Sequence, residues 1–174
     1  MNASVYEVSN QQFILTLTNL KKILEKSENY AKVKKFDHQV LMNTRLFPDM
    51  FPLSKQIQTA CDAAKFCAAR LTDVKAPVFD DKEVSIDNFI ERIDKTIEYL
   101  KSIKEEDFED YEKKTIKFPW NPGQELHGKD YLIQFAIPNF YFHITTAYNL
   151  LRSCGVEIGK ADFLGAINWH SVKD

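Results

Sequence analysis

The residues best placed to do chemistry are Asn139 and His143, four apart in the most apolar region of the chain. On an α-helix that spacing stacks two side chains on one face. Leu132, Ala136, Asn139, His143, Thr146 and Leu150 form one line along this helix, and Ile133, Ile137, Phe140, Ile144, Ala147 and Leu151 form the next. The helix is therefore apolar round most of its circumference, and the Asn139/His143 pair is predicted to be buried. A buried donor or acceptor left unpaired costs about 1–3 kcal/mol, so each needs a partner: the other, a second helix, water or a ligand. An ordinary pKa of about 6.5 makes His143 the candidate acid or base for proton transfer near neutrality. Two readings stay open at this point. One is a core network that only satisfies itself, and the other is a polar small-molecule pocket at the centre of a bundle.

Other chemistry is poorly supported by spacing. A catalytic zinc normally takes three ligands of His, Cys or carboxylate type. Asparagine is a weak neutral ligand, and of the second helix only Gln56, Cys61 and Cys67 come near its inward side, with Asp62 nearly opposite. No metal site is predicted. Cys61 and Cys67 lie about 120° apart round a helix, which suits neither a shared ligand nor a redox pair. With Cys154 they make an odd set of 3, read as apolar thiols in a reducing compartment. Nucleophilic catalysis lacks a G-x-S-x-G signature, and a Cys67–His143 pairing across helices would recruit a thiol of a normally inert, buried kind. His38 and His127 fall in connections and His170 in the polar C-terminal tail.

The elements that must position these residues are four helical patterns. The first opens on the capping box Ser4/Glu7 and carries Phe13, Leu17, Leu20 and Leu24. The second starts after Pro52, with Leu53, Ile57, Ala60, Ala64, Cys67 and Leu71 on one face. The third begins at an N-cap near Ser85 and carries Ile86, Ile90, Ile93, Ile97 and Leu100. The fourth runs from Asp130 to about Cys154, with Pro138 predicted to kink it and Gly155 to end it. Together they predict an all-α four-helix bundle. Two connections are long. Tyr30 to Pro52 is a crossover between helices one and two, and a small β-hairpin is predicted before helix four, from Thr115–Phe118 and Gln124–Leu126 around the turn Asn121-Pro122-Gly123. Trp120 is placed to cap one mouth of the bundle.

Composition narrows the classes further. A chain of 174 residues, 44% hydrophobic and 28% charged, reads as one globular domain spanning 1–174. A net charge of −2 provides no global field for nucleic acid or anionic membrane. The lysine run from Lys21 to Lys35 is interrupted by Glu25 and Glu28, and the acidic run from Glu105 to Asp110 lacks the glycine of a calcium loop. Both read as solvated. Met1–Val8 has no signal-peptide pattern and Tyr131–Ile144 is too polar to span a membrane, so a cytoplasmic protein is expected.

With these residues on the page, the chain resembles DinB/YfiT-like proteins, more closely a domain-of-unknown-function branch of that superfamily. The resemblance rests on Arg45–Leu53 (RLFPDMFPL), Ala60–Lys65 (ACDAAK), Pro138–Tyr148 (PNFYFHITTAY) and Asp162–Gly165 (DFLG). It implies a four-helix bundle with a long crossover, often dimeric. It also implies metal-dependent relatives, with one histidine on helix two and an H-x-x-x-H pair on helix four, some of them thiol-dependent transferases or isomerases. Here that pair reads Asn139-x-x-x-His143 and helix two has no histidine, so one ligand of three is retained. The expected site is then a metal-free and cofactor-free small-molecule pocket. His143 is its catalytic candidate and Asn139, Arg45, Asp49, Asp62, Lys65 and Trp120 are its ligand-binding candidates. Arg45 and Asp49 would come in on the crossover. Asp62 and Lys65 would form a buried pair if the crossover or a second subunit covers that side of helix two. The alternatives are a non-enzymatic bundle that self-associates as a homodimer and, by resemblance alone, a metal-dependent thiol transferase.

Overall fold

The computed structural model describes residues 3–172; the ends of the predicted 1–174 domain lie outside the described residues. Helix α1 spans Gln12–Lys34 and is preceded by a π-helical turn at Tyr6–Gln11. A short α2 at Gln39–Met42 sits within the crossover, followed by α3 at Leu53–Thr72 and α4 at Ile86–Ser102. Two 3-10 turns lead to the antiparallel strands β1 (Thr115–Lys117) and β2 (Glu125–His127), with Ile116 opposite Leu126. The single turn α5 (Gly128–Asp130) enters a π-helical turn at Tyr131–Ala136, then α6 (Ile137–Ser153) and the short α7 (Lys160–Leu164).

The local signals act as their chemistry requires. Ser4 and Glu7 exchange capping hydrogen bonds at 2.8 and 3.2 Å, and the Ser85 hydroxyl accepts from the Asn88 amide. Gly155, at φ +91°, ends α6 as the Val156 amide reaches back to Leu151 O. The first helix runs on to Lys34 before Lys35 turns left-handed, so the crossover is shorter at its start than the sequence suggests. Pro138 does not break the fourth helix in mid-course. It falls in the first turn of α6, directly after the π-helical turn, where the ladder has already shifted to absorb its missing N–H.

The predicted stripes form the core. Phe13, Leu17, Leu20 and Leu24 are buried in it with all six apolar positions of the α3 face, and Ile86, Ile93, Ile97 and Leu100 join from α4, while Ile90 is half-buried. Helix α1 packs on α4 and α6, and α3 packs on the same two. Helices α1 and α3 therefore occupy opposite corners of the bundle, as do α4 and α6. Both long connections run between opposite corners, which is why neither is a tight turn. Close packing also fixes Gly128: a Cβ there would lie 1.8 Å from Tyr111 O.

Candidate functional site

His143 lies on the face of α6 that packs against α3 and is buried, but its partner is not Asn139. Its Nδ1 is 2.6 Å from Oε1 of Gln56, a fully buried side chain in the first turns of α3. The Gln56 amide nitrogen in turn donates to the carbonyl of Phe51, at 3.2 Å, just before Pro52 caps α3. A three-link chain thus runs from the end of the crossover through α3 to α6. Burial alone pushes the His143 pKa below its ordinary value, because the charged ring loses solvation and gains no opposite charge. The Phe142 ring stands edge-on to the imidazole at 5.2 Å and is itself exposed.

The predicted Asn139/His143 pair needs correction on this point. Asn139 is half-buried rather than enclosed. Of the partners left open by the sequence, the one on a second helix is present, and it is Gln56. The sequence carried a signal for this: a glutamine on the inward side of a helix otherwise lined by Leu53, Ile57, Ala60 and Ala64.

The other predicted residues disperse. Arg45 is exposed and donates to the Met50 carbonyl at 2.6 Å, so it closes its own loop; Asp49 is exposed on the same loop. Trp120 is also exposed and stacks on Phe118 and Phe135. Phe135 precedes His143 by two turns, about 12 Å along the helix, so Trp120 covers the hairpin end of the bundle and not His143. Cys61 and Cys67 are buried, their thiols pushed up to about 12 by desolvation, and they are inert at neutral pH.

Asp62 and Lys65 do form a pair, at 2.9 Å with the Lys65 side chain buried. Within the chain their cover is not the crossover. It is the extended 73–85 connection between α3 and α4. Its organiser is Arg92, which sequence reasoning missed. The Arg92 side chain, 2% exposed, meets Asp81 at 2.7 Å and Glu83 and Asp62 at 2.8 Å each. Phe79 lies over both cations, 4.1 Å from Lys65 Nζ and 4.6 Å from the Arg92 guanidinium. Lys55 holds Asp81, and Gln58 holds Glu83. The charges balance: Lys55, Lys65 and Arg92 against Asp62, Asp81 and Glu83. This is a clasp that fastens the connection to the bundle. A surface cleft of about 380 Å³ beside it is lined by Phe79, Lys82, Asn88, Arg92 and Lys95, and a second of about 700 Å³ by Lys22, Lys26, Tyr30 and Glu157.

The metal implied by the resemblance does not fit the residues present. Around His143 stand two neutral carboxamides, Gln56 and Asn139, and the Gln56 oxygen is already committed to Nδ1. Among the described residues no group of three or more His, Cys, Asp or Glu side chains could hold a metal ion. Among the described residues no helix is long and apolar enough to cross a membrane.

Fold and site together define a DinB-like helical bundle, most of the described residues in helix and, among them, only a two-stranded hairpin in sheet. A family profile described as "Domain of unknown function (DUF1993)" matches residues 5–164. A crystal structure of a DinB family member protein from Shewanella denitrificans superposes with a TM-score of 0.92 at 43% identity, covering 97% of this chain and 96% of that one. No curated protein matches. The chain belongs to the DUF1993 family and, by that near full-length similarity, to the DinB family.

Proposed function

We propose that this protein carries a metal-free small-molecule site at His143, with Asn139 one turn away as a second polar contact. The observation that supports it is the Gln56–His143 hydrogen bond. It engages Nδ1 and leaves Nε2 without a protein partner, and Nε2 is not among the buried unpaired side-chain atoms, which in the described residues are Asn10 Oδ1 and Arg92 Nε. In this reading a ring nitrogen that is not fully enclosed and has no protein partner serves a ligand as acceptor or as general base. Arg45 and Asp49 sit on the loop that ends at Phe51, and in this reading they belong to the rim. The three free thiols agree with a reducing, cytoplasmic setting.

The test is a thermal-shift screen of a small-molecule library against the wild type, His143→Ala and His143→Gln. Hits that stabilise the wild type and lose their effect in both variants support the site, provided the variants keep their helical circular dichroism. Hits that act equally on all three proteins contradict it.

One observation favours a second reading, a self-associating protein. Leu46, Phe47 and Phe51 on the crossover and Phe142 on α6 are large apolar side chains left exposed. In that reading they meet a second copy as a homodimer. Sedimentation equilibrium would show a dimer that Phe47→Asp converts to monomer; a monomeric wild type ends this reading.

A further inference from the structure

We infer that Gln56 is a positioning residue that holds His143 in one tautomer, and that the site therefore selects an uncharged ligand which donates a hydrogen bond to Nε2. The inference rests on the small-molecule reading above and names its ligand class.

The roles are forced one after another. A backbone carbonyl can only accept, so the Gln56 atom 3.2 Å from Phe51 O is the amide nitrogen. The carboxamide oxygen then points the other way, and it is the atom 2.6 Å from His143 Nδ1. That oxygen can also only accept. Nδ1 must carry the hydrogen. A neutral imidazole has one N–H, so Nε2 presents a lone pair. Burial disfavours the doubly protonated ring and keeps it neutral.

The surroundings decide which ligands that lone pair would take. No cation faces it. Arg45 is bonded to Met50 O, and Lys65 and Arg92 are held by Asp62 on the side of α3 that carries the clasp. An anion would meet a lone pair with nothing to neutralise its charge, and would pay desolvation besides. A neutral O–H or N–H donor is complementary. The exposed Phe142 ring beside the imidazole adds an apolar wall. The chemistry that fits is a hydrogen-bond donor on an apolar or aromatic body, for which phenol is the simplest probe. Anisole keeps the body without the donor, and benzoate replaces the donor with an anion.

The experiment is long-range proton–nitrogen NMR on the full chain with ¹⁵N-labelled histidine. The wild type is expected to show Nδ1 protonated and Nε2 unprotonated at neutral pH. Gln56→Leu should give mixed tautomers, and Gln56→Glu should restore the Nδ1–H form while raising the pH at which the ring takes its second proton. Phenol should perturb Nε2 of the wild type at a concentration about tenfold below that needed for anisole or benzoate. An Nε2–H tautomer in the wild type, or a Gln56→Leu spectrum identical to it, overturns the positioning role. Equal binding of phenol and anisole overturns the ligand class while leaving a site. The expected tautomer with no response to any probe overturns the small-molecule reading and the selectivity built on it.

Discussion

Replacing Arg92 by Met removes the charge at the centre of the clasp and keeps most of the apolar stem. The side chain is 2% exposed and touches three carboxylates at 2.7–2.8 Å. Breaking a buried ion pair by deleting one partner costs about 3–5 kcal/mol, because the remaining charge is stranded. Here each carboxylate keeps a second partner: Lys65 for Asp62, Lys55 for Asp81 and the Gln58 amide for Glu83. Asp81 is also 38% exposed, so water replaces part of what it loses. The expected loss sits at the lower end, about 3 kcal/mol. With a urea m-value of about 2 kcal/mol/M, the unfolding midpoint should fall by about 1.5 M with m unchanged. Acid dependence gives a second readout. Burial pushes the Asp81 and Glu83 carboxyls up, yet hydrogen bonds and charge from Lys55 and Arg92 at Asp81, and from Arg92 and Gln58 at Glu83, leave both below the usual carboxylate range. Groups depressed in the folded state contribute stability that is present above their unfolded pKa of about 4 and lost as the pH falls through the folded value. Arg92→Met should flatten that acid limb. A midpoint shift under about 0.3 M, or an acid limb unchanged from wild type, would refute the reasoning.

Three further outcomes follow from single sites. Because the His143 pKa is lowered by burial, the unfolded chain binds more protons below about pH 6.5, so stability should decline from there toward the folded pKa. His143→Gln should reduce that slope in pH-dependent urea melts. Gly128→Ala would force a methyl group into the Tyr111 carbonyl, at 1.8 Å before any relaxation, and should lower the unfolding free energy from urea melts by about 1–3 kcal/mol. An aromatic disulfide reagent should label the half-buried Cys154 in the native protein and reach Cys61 and Cys67 only in denaturant.

The sequence made the bundle legible because its stripes are long and regular, and each predicted apolar position of α1 and α3 is buried. The long connections were also readable, although their reason, opposite-corner geometry, depends on which helices pack. The site was half readable. His143 stood out as a polar residue in an apolar face, but its partner depends on how α3 is registered against α6, and spacing within one helix carries no such information. That is why Asn139, another helix, water and a ligand all stayed open as partners, and the structure selects Gln56 on the second helix. The clasp was missed for a related reason. Asp62 and Lys65 on the outer side of α3 signalled an unexplained pair, but Phe79, Asp81 and Glu83 lie in an extended connection with no periodicity, and Arg92 lies beside the stripe of α4 rather than in it.

In this DinB-family bundle His143 is paired with Gln56, and no group of three or more His, Cys, Asp or Glu among the described residues could hold a metal ion. The direct test is elemental analysis of untagged protein, purified without chelator, equilibrated with zinc, nickel and manganese and then dialysed. The expected result is metal far below one equivalent per chain, the same in wild type and His143→Ala. One equivalent per chain, lost in His143→Ala, would contradict it and show that the Gln56–His143 bond opens to admit a metal.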